Sequence, residues 1–119
     1  MPGYELIGEE ERKEVNDVFE RGAILFRQGF ENIRETYKVK EFEEEFSKFN
    51  NAKYSLAVTS GTAALRVALS ALGIGRGDEV ITQCFTFVAT VEAIVESGAS
   101  PKCCEIDKTL NMCPIDLEK

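Results

Sequence analysis

The second half of the chain alternates short apolar runs with helical segments that end at glycine, and this pattern limits the possible folds most. Three short runs suited to strands occupy residues 55–58, 79–82 and 102–106. Residues 63–72 and 86–96 have helical composition and end before Gly73 and Gly98, where a left-handed helix cap is expected. The order strand, helix, strand, helix, strand predicts parallel βαβ units and therefore an α/β fold.

Two amphipathic helices are predicted in the first 50 residues. Residues 9–21 are charged, with apolar side chains recurring on one face, and residues 38–49 carry phenylalanines at i, i+4 and i+7. These rings, Phe42, Phe46 and Phe49, should form one apolar stripe. The acidic residues around them, Glu43 included, are expected mostly to face water. The stretch 22–37 fits either an irregular arm or a helix.

The amino-acid composition changes near residue 50, which suggests that the chain has two regions. Residues 1–50 are predicted to form an N-terminal helical arm, and residues 51–119 the first part of an α/β domain. Pro114 is placed to open a helix, yet the sequence ends five residues later. We therefore expect a truncated domain, because a parallel sheet normally needs helices on both faces.

Net charge and hydropathy limit the classes of partner that the chain is expected to bind. The formal net charge of −7 argues against nucleic acid, which is bound through cationic side chains. No stretch reaches the roughly 20 apolar residues that cross a membrane. The first six residues lack the basic and apolar regions of a signal peptide, so a cytoplasmic location is predicted. An anionic ligand would have to be held by local backbone donors, because the overall field does not attract it.

Four cysteines raise the possibility of a metal or disulfide site. No CxxC pair and no histidine is present, so the usual zinc-site spacings are missing, and no metal ligand is predicted. Cys103 and Cys104 are adjacent, and in a strand their side chains would point to opposite faces. The four residues are expected to be reduced thiols, buried or partly buried.

The segment Thr59-Ser60-Gly61-Thr62 is the most informative one chemically. It lies between a predicted strand and a predicted helix, where unpaired N–H groups and the helix dipole bind phosphate. Ser60 and Thr62 offer hydroxyls, Gly61 would permit close approach and an unusual φ angle, and Ala63 leaves room for a ligand. Serine and threonine are also ordinary helix caps, and the tetrapeptide taken alone favours simple capping.

Phe87 follows the next predicted strand, at the carboxyl edge where α/β proteins usually bind ligands. Its ring could lie over a flat heteroaromatic cofactor. The alternative is that Phe87 packs against the sheet together with Val91, Ile94 and Val95.

The order of these pieces resembles the DegT/DnrJ/EryC1/StrS family, the aminotransferases of nucleotide-sugar metabolism that depend on pyridoxal 5′-phosphate (PLP). The resemblance runs over about residues 8–119 and is carried most densely by residues 54–65, 71–82, 85–90 and 94–98. It implies that this segment begins the large PLP-binding domain of a fold-type-I transferase. Gln83-Cys84 departs from the family, in which proline commonly precedes the aromatic segment.

Site residues follow from the resemblance by position. Gly61, Thr62 and Ala63, preceded by Ser60, match the family's phosphate-binding turn, and Phe87 matches the aromatic residue that stacks on the cofactor ring. The family's cofactor-bearing lysine, and the aspartate that pairs with the pyridine nitrogen, lie further along the chain. We therefore assign no catalytic residue to this chain and expect it to be inactive alone.

The resemblance also implies partners. An amino acid, commonly glutamate, would donate the amino group, and a keto sugar linked to a nucleotide would accept it. Family active sites are completed by a neighbouring subunit, so a homodimer is expected. Two alternatives stay open: a non-catalytic binding or assembly module, and a PLP-dependent sugar dehydratase of the same family, in which histidine replaces the lysine.

Overall fold

The computed structural model describes residues 3–35 and 37–119. The chain divides into two compact units, Met1–Ala57 and Val58–Lys119. After a short 3-10 helix at Tyr4–Leu6, the elements in chain order are α1 (Glu9–Glu20), α2 (Lys38–Phe49), α3 (Gly61–Ala71), β1 (Glu79–Gln83), α4 (Val88–Glu96), β2 (Ser100–Cys104) and α5 (Pro114–Leu117). Within the described ranges, no helix has the length and apolar character needed to cross a membrane.

The two long helices of the first unit begin and end close to where the sequence predicts. The side chain of Glu11 reaches back to the N–H of Gly8 at 2.7 Å and satisfies one of the free donors at the start of α1. Helix α2 has the predicted bounds. Its Phe42 and Phe46 rings lie 5.4 Å apart between centroids, while Phe49 is 88% exposed.

The stretch between α1 and α2 forms turns without a helix in its described residues, which confirms the irregular arm over the helical alternative. Ala23 and Phe30 have positive φ angles of 54° and 65°, and such left-handed residues interrupt a right-handed helix. Phe26 stacks on Phe30 with ring centroids 5.5 Å apart.

The second unit is built on a β1-α4-β2 crossover, as predicted. Strands β1 and β2 pair in parallel, with Glu79 opposite Ser100 and Gln83 opposite Cys104. Helix α4 packs on both strands and buries Ala93 and Ile94 against them. The buried core of this unit also contains Ala99, Cys104 and Thr82.

Two strand predictions need correction. Residues 55–58 form no strand, because no backbone segment within the described residues pairs with them. The last strand is Ser100–Cys104, two residues earlier than predicted, because pairing begins when Ser100 donates its N–H to the carbonyl of Asp78 at 2.9 Å. Ile106 lies outside that strand and forms an isolated antiparallel bridge with Met112.

The helix boundaries of the second unit show which local signals are accurate. Gly73 and Gly98 have φ angles of 73° and 90°, so both act as the left-handed stops that the sequence predicts. Helix α4 starts at Val88, two residues later than predicted, since Phe87 is extended with φ −72° and ψ 144°.

Candidate functional site

The N-terminus of α3 is formed by the segment that the sequence singles out. Ser60 is extended, and its hydroxyl accepts a hydrogen bond from the N–H of Ala63 at 3.1 Å. Its carbonyl accepts the N–H of Ala64 at 3.0 Å and so starts the helix. Ser60 is therefore the N-cap of α3, and the capping interpretation is confirmed.

After capping by Ser60, two backbone N–H donors at the start of α3 still lack an acceptor among the described residues. The N–H groups of Gly61 and Thr62 have no acceptor within residues 3–35 and 37–119, as expected for the first helical positions. A Cβ atom placed on Gly61 would meet no heavy atom within 4 Å, and its φ lies outside the left-handed region. The unusual φ angle that glycine would permit is not adopted, so neither the backbone conformation nor the packing of the described residues requires glycine at position 61.

Phe87 is the residue directly before α4, beyond the carboxyl end of β1. Its side chain is 77% exposed, whereas Ile94 on the same helix is 3% exposed. The interpretation of Phe87 as a core residue of this unit is therefore wrong. The segment leading to it is tied to β1, because the side-chain amide of Gln83 donates to the carbonyl of Phe85 at 2.5 Å.

Glu43 is a polar residue that the sequence interpretation missed. Its side chain is only 13% exposed, and its Oε1 accepts hydrogen bonds from Arg27 at 2.6 Å and from the N–H of Ala57 at 2.8 Å. The ion pair with Arg27, followed by the bond from Ala57, lowers the pKa of Glu43. Helical spacing could have identified it, since Glu43 lies four residues after Val39 and three before Phe46.

A groove of the second unit involves other residues of α3 and α4. A volume of about 570 Å³ opens between α3 and α4, lined by Arg66, Ser70, Gly73, Ile74, Ala93, Glu96 and Ser97. Arg66 and Glu96 form an ion pair across it, and both are about half exposed. Exposed ion pairs of this kind contribute little to stability.

The cysteines differ from their expected burial. Cys104 is buried and Cys113 is half-buried, but Cys84 and Cys103 are exposed. All four are free thiols. No cluster of three or more potential metal ligands occurs in the part of the chain that the structure describes.

Comparison with known proteins extends this picture. The model of the DegT/DnrJ/EryC1/StrS aminotransferase family matches residues 5–119. The chain is 46% identical over 114 residues to the spore coat polysaccharide biosynthesis protein SpsC of Bacillus subtilis (strain 168), covering 95% of this chain and 27% of that protein. It is 41% identical over 108 residues to the GDP-perosamine synthase of Vibrio cholerae, covering 90% of this chain and 27% of that protein.

A solved structure agrees with the same assignment. A Streptococcus pneumoniae protein in its PLP form superimposes with a TM-score of 0.81 at 33% identity, over 94% of this chain and 26% of that one. The chain thus spans about a quarter of the length of the proteins it matches. The predicted α/β architecture is confirmed as that of the fold-type-I transferases. The chain belongs to the DegT/DnrJ/EryC1/StrS aminotransferase family.

Proposed function

We propose that this chain is part of a PLP-dependent aminotransferase that moves an amino group from an amino acid, glutamate by family resemblance, to a nucleotide-linked keto sugar. Family membership supports the reaction class. The name of the Vibrio cholerae relative denotes a sugar linked to GDP, which supports the acceptor class. The PLP form of the Streptococcus pneumoniae structure supports the cofactor.

The observation that carries the proposal is the open space at Gly61. Two N–H groups, those of Gly61 and Thr62, point out of the start of α3 without an acceptor in the described residues. The positive end of the helix dipole lies at the same place, and the missing Cβ leaves room for an anion to approach the backbone. A phosphate dianion fits this donor set, and the fit does not depend on the net charge of −7.

Ser60, Thr62 and Ala63 complete the phosphate site in this proposal. The Ser60 hydroxyl accepts from Ala63 and fixes the first turn, so the two free N–H groups are held in place before a ligand arrives. Thr62 and Ala63 are both half-buried. The Thr62 hydroxyl would donate a further hydrogen bond, and the small Ala63 side chain would leave the approach open.

Phe87 would hold the cofactor ring. An exposed aromatic side chain at the end of a parallel strand can stack on a flat pyridine and exclude water from one of its faces. The cofactor, when bound, supplies the electron sink that lets an amino group be transferred. In this proposal the described residues bind and orient it and carry out no proton transfer.

The variant Gly61→Ala tests the phosphate site. Because a Cβ at Gly61 meets nothing within 4 Å and φ is ordinary, the free protein should keep its stability to within about 1 kcal/mol. The added methyl group would occupy the space assigned to the phosphate. We expect the dissociation constant of PLP from the intact protein to rise about tenfold or more, measured by equilibrium dialysis.

The matched controls use another glycine and another ligand. Gly8 also has open space around its Cβ position and no positive φ, so Gly8→Ala should leave PLP binding unchanged. Pyridoxal, which lacks the phosphate, should bind wild type and Gly61→Ala equally. Equal PLP affinity in wild type and Gly61→Ala would contradict the phosphate assignment.

Three further points extend the proposal to the intact protein. We place the phosphate turn in the α/β region 51–119 and treat residues 1–50 as a helical arm. We propose a homodimer, since the arm carries exposed aromatic rings at Phe26 and Phe30 that are suited to subunit contacts. The cytoplasmic location remains a prediction from the sequence.

A further inference from the structure

The segment between β1 and α4 carries two phenylalanine rings that packing does not hold in place. Phe85 and Phe87 are each more than half exposed, so neither ring is fixed by burial in the core of this unit. The chain bends at residues 84–86, which belong to neither a helix nor a strand. The backbone of this segment is therefore positioned by its hydrogen bonds, because few buried apolar contacts constrain it.

Backbone hydrogen bonds hold the two ends of this segment. At the start, the N–H of Cys84 donates to the carbonyl of Cys104 at 3.0 Å and continues the ladder between β1 and β2. At the end, the carbonyl of Phe87 accepts the N–H of Thr90 at 3.0 Å, in the first turn of α4. These two bonds fix the residues next to β1 and α4, and the bend itself lies between them.

Side chains supply the hydrogen bonds of the bend. The side-chain amide of Gln83 donates to the carbonyl of Phe85 at 2.5 Å, and Gln83 is half-buried at the end of β1. The hydroxyls of Thr86 and Thr90 lie 2.9 Å apart and form a hydrogen bond with each other. Gln83 therefore connects the last residue of a paired strand to a carbonyl that lies two residues before Phe87.

We propose that Gln83 is a positioning residue for the Phe87 ring and, through that ring, for the binding of the cofactor pyridine. The backbone of Gln83 is held by the pairing of β1 with β2, so its amide binds the Phe85 carbonyl from a fixed position. The planar peptide group after Phe85 is then held as well, which limits the orientations open to Phe87. A ring that is ordered before the ligand arrives loses less conformational entropy on stacking, and the affinity rises.

The variant Gln83→Met tests this role, which rests on the proposed stacking of Phe87 on the cofactor. Methionine keeps the length of the side chain and lacks the amide donor. We expect the dissociation constant of PLP from the intact protein to rise about threefold in equilibrium dialysis, since one neutral hydrogen bond contributes a factor of this order. Pyridoxal keeps the ring and should lose affinity by the same factor, whereas Gly61→Ala should leave pyridoxal binding unchanged.

A double-mutant cycle separates positioning from direct contact and from a general effect on the fold. If Gln83 acts through the ring, Gln83→Met should weaken PLP binding in wild type and cause no further change in the Phe87→Ala background. The control Asn50→Leu removes another side-chain amide, which donates to the carbonyl of Phe46 at 2.9 Å, and should leave PLP affinity unchanged. Urea unfolding without PLP checks that each variant is folded.

The same measurements distinguish failure of this role from failure of the proposed function. If Phe87→Ala weakens PLP binding and Gln83→Met does not, the stacking stands and the role of Gln83 is wrong. An equal loss from Gln83→Met in both backgrounds also overturns that role, because Gln83 would then act without the ring. If Phe87→Ala binds PLP as wild type does, the stacking assignment is wrong and the role of Gln83 is overturned with it.

Discussion

The carboxylate of Glu43 on α2 accepts the backbone N–H of Ala57 at 2.8 Å. The same oxygen accepts a hydrogen bond from Arg27 at 2.6 Å, so one acidic side chain contacts the arm, its own helix α2 and the segment that follows α2. That segment lacks a strand partner within the described residues. Glu43 therefore satisfies a donor that a neighbouring strand would otherwise satisfy.

Replacing Glu43 should reduce the loss of folding stability that wild type shows as the pH falls. The folded-state pKa of Glu43 lies below its ordinary value of 4.5, so its contribution is present above pH 4.5 and disappears as pH falls through the lowered pKa. We expect Glu43→Gln to have a lower urea midpoint than wild type at neutral pH, and the two midpoints to converge in acid. Glu44→Gln, an exposed neighbour on α2, is the control and should match wild type. A constant gap at all pH values would contradict the assignment.

The cap of α3 predicts a specific order among variants. Ser60→Ala removes the acceptor for the Ala63 N–H and should cost about 1 kcal/mol of unfolding free energy in the PLP-free protein. Ser60→Gly should cost only a few tenths of a kcal/mol, because glycine is also tolerated at this position. Urea unfolding measures both. Ser70→Ala, inside the same helix and exposed, should be neutral or stabilising, so a similar loss there would point to a general effect of removing serine.

Replacing Phe87 should weaken the binding of PLP and change the stability of the fold little. Because 77% of the residue is exposed, Phe87→Ala should change the unfolding free energy by no more than about 0.5 kcal/mol. Loss of ring stacking should raise the PLP dissociation constant by up to about tenfold, measured by dialysis. Phe87→Tyr keeps the ring and should bind as wild type does. Phe85→Ala, another exposed ring nearby, should leave affinity unchanged; if it alone weakened binding, the stacking role would belong to Phe85.

The ion pairs of Lys38 should stabilise the first unit at neutral pH, and this stabilisation should be lost at high pH. Its amino group lies 2.5 Å from Glu14 and 2.9 Å from Asp17, and these partners raise the pKa of Lys38 to about 12. A raised folded-state pKa means that the contribution is complete below pH 10.5 and is lost as pH rises through about 12. The urea midpoint of Lys38→Gln should thus lie below that of wild type at neutral pH and approach it in alkali.

The control for Lys38 lies two residues away on the same helix. Lys40→Gln removes the same charge, but Lys40 forms no ion pair within residues 3–35 and 37–119, so its midpoint should follow wild type throughout. A gap between wild type and Lys38→Gln that persists to pH 12 would rule out the ion pairs as its cause.

Local interactions explain which parts of the fold the sequence predicts. The bounds of α2, the left-handed stops at Gly73 and Gly98, and the cap at Ser60 all depend on hydrogen bonds and φ preferences within a few residues. The βαβ crossover follows from the alternation of strand and helix patterns.

Contacts between distant residues decided the rest. The residues 55–58 look like a strand, but a strand exists only when another backbone pairs with it, and composition does not show that partner. Phe87 has the spacing of a core residue on α4, yet the extended backbone before Val88 leaves its ring in solvent. Glu43 looks like part of a solvated acidic face until Arg27 and Ala57 are brought to it.

The sequence by itself therefore determined the helices, the glycine stops, the crossover and the cap of α3. Only the tertiary structure decided that Gly61 has open space at its Cβ position and that Glu79 lies opposite Ser100 in the parallel ladder. Helices, caps and turns are stabilised by bonds between near neighbours in the chain, which residue types reveal. Free space and strand register depend on segments far apart in sequence, and these are fixed only when the chain packs.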